Sequence, residues 1–124
     1  MGLDMYLTGE KHLMKPRKRG NVKRVQFDLG YWRKHPNLHG YIVETFADGV
    51  DECQAIELSP DGIKQIIEAI KCRQLPETTG FFFGTSADSD EQVAYDIEIF
   101  EDALKWLEAD EPDVWQSVSY RASW

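Results

Sequence analysis

The sequence predicts an α+β fold: a largely antiparallel sheet with helices packed against it. Three observations predict it. Strand-like alternation of apolar residues occurs near both chain ends, capped helical segments lie between them, and the composition is ordinary for a globular protein, with 42% apolar and 12% aromatic residues in 124. Strands at the ends and helices in the middle suit helices laid on one sheet. No repeat or low-complexity linker interrupts the chain, so residues 1–124 read as a single domain.

The elements follow in order. In GLDMYLTGEKHL, Leu3, Met5 and Leu7 alternate, which predicts a first strand. KPRKRGN breaks the pattern with Pro16, Gly20 and Asn21, as a hairpin tip does. Val25, Phe27 and Leu29 alternate on one face of a second strand. Pro36 suits the first turn of a helix carrying Leu38, Ile42, Val43 and Phe46, and Gly49 follows its end. ECQAIEL, residues 52–58, reads as a short third strand. SPDG opens the next helix, with Ser59 as cap, Pro60 in the first position and an apolar stripe of Ile63, Ile66, Ile67 and Ile70. TTGFFFGTS is a short strand or buried turn. The longest helix follows, capped by Ser89 or Asp90, with Ile97, Phe100, Leu104 and Leu107 on its apolar face. Pro112 ends it, and VWQSVSYRASW forms the last strand.

The net charge is −8, unevenly divided. Residues 1–39 hold nine Lys/Arg against three Asp/Glu, and residues 40–124 hold five against nineteen. That asymmetry predicts a basic side on an acidic body. No apolar run reaches the roughly 18–20 residues of a membrane helix, so no membrane partner is expected. The N-terminus has no signal-peptide pattern, which predicts a cytoplasmic protein with Cys53 and Cys72 as reduced thiols.

The stretch YWRKHPNLHGY, residues 31–41, is the richest in candidate chemistry. Tyr31 and Trp32 offer flat faces for a base or sugar. Arg33 and Lys34 offer charge, Arg33 with a fork that fits phosphate. His35, Asn37 and His39 offer hydrogen-bond partners, and a helix starting at Pro36 favours an anion at its first N–H groups. Phe83 of TGFFFG is an apolar wall for the same pocket. His35 and His39 have i,i+4 spacing, but no third ligand is indicated, so no metal or other cofactor is expected. Asp90, Glu91 and Asp96 read as an acidic first turn rather than catalytic carboxylates. No phosphate loop, GxSxG or Ser-His-Asp pattern occurs, so nothing demands an enzyme. KPRKRGNVKR holds six basic residues in ten and is read as a solvated tip, with nucleic-acid contact as the alternative.

The segments MGLDMYL (1–7), YWRKHPNLH (31–39), TGFFFG (79–84), Tyr95-Asp96 and ASW (122–124) together resemble a family of small bacteriophage and prophage proteins. The family carries no established chemistry, so the resemblance implies a phage-associated origin in the host cytosol rather than a mechanism. It also adds Tyr95 to the site residues. The expected function is non-catalytic binding of a small anionic, nucleotide-like ligand, as in sequestration of a host immune signal. The pocket would often lie at the interface of a homo-oligomer. The alternatives are an acidic inhibitor that binds a host defence protein and, behind it, a nucleic-acid-contacting accessory protein.

Overall fold

The computed structural model describes residues 2–13, 23–78, 89–109 and 111–124. The elements run β1 (Asp4–Leu13), β2 (Arg24–Arg33), α1 (Pro36–Phe46), β3 (Ile56–Leu58), α2 (Pro60–Lys71), α3 (Asp90–Glu108) and β4 (Val114–Ser123). The four strands form one antiparallel sheet in the order β2-β1-β4-β3. The α+β class is as the sequence predicts. The segments 14–22 and TGFFFG lie outside the described residues, and so does Phe83.

The helix starts obey local chemistry. Ser59 Oγ accepts from Gly62 N at 3.0 Å and Ser89 Oγ accepts from Gln92 N at 3.1 Å, each supplying a partner to an otherwise orphaned N–H. β3 is shorter than the sequence pattern suggests. Gln54 receives the Glu52 N–H on its side-chain oxygen and donates to the Val50 carbonyl, while Cys53 takes a positive φ of 58°. The chain thereby bends at Glu52 and Cys53, and pairing begins only at Ile56.

One face of the sheet is the core face. Leu3, Met5 and Leu7 from the β1 end, Val118, Tyr120 and Ala122 from β4, and Ile56 and Leu58 from β3 are buried there. Leu38, Ile42 and Val43 of α1, the isoleucine stripe of α2, and Phe100 and Ala103 of α3 complete the same cluster. Ile97, Leu104 and Leu107 of α3 pack against it while staying partly exposed.

β2 departs from simple alternation. Leu7 pairs with Gly30 but Thr8 pairs with Asp28, so Leu29 is the extra residue of a bulge. Strict alternation from Val25, Phe27 and Leu29 would turn Tyr31 and Arg33 inward. The bulge resets the parity, and Trp32 goes inward instead, 3% exposed, opposite Met5. Helix α3 crosses this region closely enough that a Cβ at Gly30 would meet Ile99 Cγ2 at 2.5 Å, and one at Gly9 would meet the Trp106 ring at 2.8 Å.

Gly30→Ala is therefore expected to destabilise the fold by about 1–3 kcal/mol, the usual cost of overpacking. In an Ile99→Ala background the same change should cost clearly less, because the obstructing methyls are gone. Denaturant unfolding of the four proteins of this cycle checks it; strict additivity would contradict the close approach.

Candidate functional site

The eleven-residue stretch singled out in the sequence does not form one pocket. Backbone periodicity divides it. Tyr31 and Arg33 leave the outer face of β2 and are exposed. Trp32 enters the core, where its ring stacks on Phe100 at 5.3 Å. Lys34 takes a positive φ of 55° at the junction between β2 and α1, with its N–H donating to the Leu3 carbonyl at 2.8 Å. His35 and His39 are buried, and Asn37 Oδ1 accepts from Thr78 N at 3.0 Å.

Two buried polar clusters result. Asp96 of α3, 1% exposed, accepts from Trp32 Nε1 at 2.7 Å and Gln92 Nε2 at 2.8 Å on one oxygen, and its other oxygen lies 2.7 Å from His35 Nε2. An ionised carboxylate only accepts, so these three contacts fit its lone pairs. The second cluster links His39 Nε2 to Asp51 at 2.9 Å and His39 Nδ1 to the Tyr120 hydroxyl at 2.6 Å. With Nε2 donating to Asp51, a neutral ring accepts the Tyr120 proton at Nδ1. Burial, with the Asp51 charge behind it, pushes the Tyr120 phenol far above its ordinary value, so it stays protonated.

A cleft of about 410 Å³ adjoins His39, between α1 residues 39–44, the following loop at Gly49 and Asp51, and residues 76–78. Its described lining includes Glu44, Asp51 and Glu77 and no lysine or arginine. Such a lining repels anions. An anion in this part of the expected pocket would meet Glu44, Glu77 and the Asp51 carboxylate that already holds His39.

The outer face of the sheet is arranged differently. Cross-strand register puts Arg121, Tyr6 and Tyr31 in one row over β4, β1 and β2. Tyr6 and Tyr31 are 43% and 44% exposed, with ring centroids 5.4 Å apart. Arg121 Nε donates to the Cys53 carbonyl at 2.9 Å, which fixes the guanidinium plane. Tyr31 is fixed at both ends: its hydroxyl donates to Asp4 at 2.6 Å, and its carbonyl accepts from the Tyr95 hydroxyl at 2.7 Å. The Asp4 carboxylate raises the Tyr31 pKa by holding the phenol proton. Tyr95 thus acts on the backbone behind the face. Arg33 stands one row beyond, opposite Asp4. A concavity of about 370 Å³ opens here between Tyr6, Asp28, Leu29, Gly30 and Tyr31, where the bulge widens the strand; with Asp28 as the charged residue of its lining, it suits an uncharged ring rather than a phosphate.

Of the residues the sequence singles out, Tyr31 and Arg33 lie on this face, beside Tyr6 and Arg121, which it does not single out. The alternation of Val118, Tyr120 and Ala122 with Ser117, Ser119 and Arg121 was the available signal, since opposite faces follow from period two. Among the described residues, no group of three or more His, Cys, Asp or Glu is arranged to hold a metal ion, and no helix is long and apolar enough to cross a membrane. Comparison of the chain with protein-family models, curated proteins and solved structures finds no match.

Asp96→Ala is expected to cost about 3–5 kcal/mol, as removal of one partner from a buried charged cluster usually does. Asp96→Asn keeps an acceptor for Trp32 and Gln92 and should cost about 1–3 kcal/mol. Urea unfolding followed by tryptophan fluorescence measures both; a loss under about 1 kcal/mol for the alanine variant would show that the cluster holds little together.

Proposed function

We propose that this chain is a binding protein without catalysis of its own, which takes an anionic, aromatic ligand of the nucleotide class on the outer face of its sheet. The observation that carries this reading is the Arg121–Tyr6–Tyr31 row beside the bulge concavity. Exposed tyrosines on an antiparallel sheet supply a stacking surface that any base can use. Arg121, held through its Nε, would use its Nη groups for a phosphate, and Arg33 adds a second guanidinium one row away. The ligand class is the one expected from residues 31–39. Its position moves outward, because the bulge sends Tyr31 and Arg33 to the outer face of the sheet while Trp32 turns inward. The resemblance to phage proteins suits a role in an infected cell, where nucleotides are both resource and signal.

Calorimetric titration with adenosine 5′-monophosphate and with the dinucleotide dT2 tests the reading. Binding of either is expected to weaken at least fivefold in Arg121→Ala and in Tyr6→Ala. It should stay unchanged in Lys105→Ala, on the exposed side of α3. Arg121→Lys should restore only part of the loss, since a point charge does not reproduce the planar fork. Binding that is indifferent to both Arg121 and Tyr6 would overturn the placement on the sheet.

A further inference from the structure

The outer face carries a second aromatic and cationic row. Trp115 of β4, His12 of β1 and Arg24 of β2 are register partners at the opposite end of the sheet. Trp115 is 50% exposed, and its ring lies 5.0 Å from that of His12. Arg24 is exposed at the start of β2. His12 is six residues from Tyr6 along β1, so the two rows stand roughly 20 Å apart at the rise of a strand. A mononucleotide cannot reach both.

The rows between them are built from small and polar residues. One is Ser119, Thr8 and Asp28, and the next is Ser117, Glu10 and Gln26. They leave a low floor between two raised aromatic ends. The floor is also where the face is acidic. Glu10 accepts from Gln26 Nε2 at 2.8 Å, and this hydrogen bond, aided by Arg24 and His12, holds its carboxyl below the usual range. It is therefore ionised at neutral pH. Arginines and aromatics share the Tyr6 and Trp115 rows, Asp28 and Glu10 hold the rows between them, and Asp4 lies one row beyond Tyr6 on the Tyr31 hydroxyl.

Resting on the reading of the Tyr6 row as a nucleotide site, we infer that the ligand is a single-stranded nucleic acid several nucleotides long, which spans the sheet with bases on both aromatic rows. Stacking needs unpaired bases, which a duplex does not offer, and the two rows supply stations for separate bases of one strand. Arg121 and Arg24, one in each row, would supply phosphate partners at either end.

The test is a length series of 5′-labelled oligothymidylates, dT2, dT4, dT8 and dT12, with a 12-base-pair duplex, followed by fluorescence anisotropy at low salt. The expected result is that dT8 binds at least tenfold more tightly than dT2 and than the duplex. Trp115→Ala and Arg24→Gln should each weaken dT8 at least fivefold while leaving dT2 unchanged, whereas Tyr6→Ala weakens both. Glu10→Gln should tighten dT8 severalfold, because it removes a negative charge from the floor. Arg24 is exposed, so Arg24→Gln keeps the test decisive even if Trp115→Ala fails to fold. Equal affinity for dT2 and dT12 with Tyr6 still required would overturn the spanning mode and leave the nucleotide reading standing. Loss of Tyr6 dependence for every probe would overturn both. Failure of every oligonucleotide to bind, with sedimentation showing a mass of twice 14.3 kDa, would make this face a contact between copies of the chain.

Discussion

A buried carboxylate decides which side of β2 faces inward. Asp96 sits 1% exposed on α3, and it reaches Trp32 at the end of β2 and His35 just before α1. A carboxylate in that position is costly unless its lone pairs are filled. Trp32 can fill one only if its ring points inward, and that requires the Leu29 bulge. The same parity then sends Tyr31 and Arg33 to the outer face. The hydrogen bonds of Asp96 and the exposed tyrosine row are two consequences of one extra residue in one strand. Glycine at position 30 belongs to the same arrangement, since α3 must approach closely for Asp96 to reach.

Charge follows the same division. Asp90, Glu91, Glu98, Asp102 and Glu108 are exposed on α3, on the helix side of the sheet. A helix is about 10–12 Å across with its side chains, and screening at physiological salt acts over about 8 Å. The carboxylates on the far side of α3 therefore contribute little field at Arg121 or Arg24. A chain of net charge −8 can in this way present locally cationic rows. The outer face still keeps Asp4, Glu10, Asp28 and Glu57, and only the end rows carry guanidinium beside aromatic rings. That pattern favours stacking supported by a few phosphate contacts over a broad electrostatic grip.

Much of the architecture is legible in the sequence because short-range rules govern it. Ser59-Pro60 and Ser89 mark helix starts, the isoleucine spacing of α2 marks its buried side, and alternation marks β1 and β4. The sequence does not show the bulge, because no local pattern distinguishes Leu29 as an added residue from Leu29 as the next in alternation. The contiguous cluster at residues 31–39 consequently reads as one pocket in the sequence, although a strand must deal its neighbours to opposite faces. Asp96 was equally hidden. In sequence it is one acid among many near a helix start, and only the fold brings Trp32, His35 and Gln92 to its two oxygens. The site rows are a product of register, and register is long-range information.

The central claim is that accessible chemistry lies on the outer face while the inward half of the 31–39 stretch is structural. It is tested most directly by two-dimensional NMR of the chain, titrated with dT8. The account predicts shifts at the Trp115 indole N–H and at the backbone amides of Tyr6, Tyr31 and Arg121, with the Trp32 indole N–H held in place by Asp96. Movement of the Trp32 indole and of His39 with a silent outer face would contradict it.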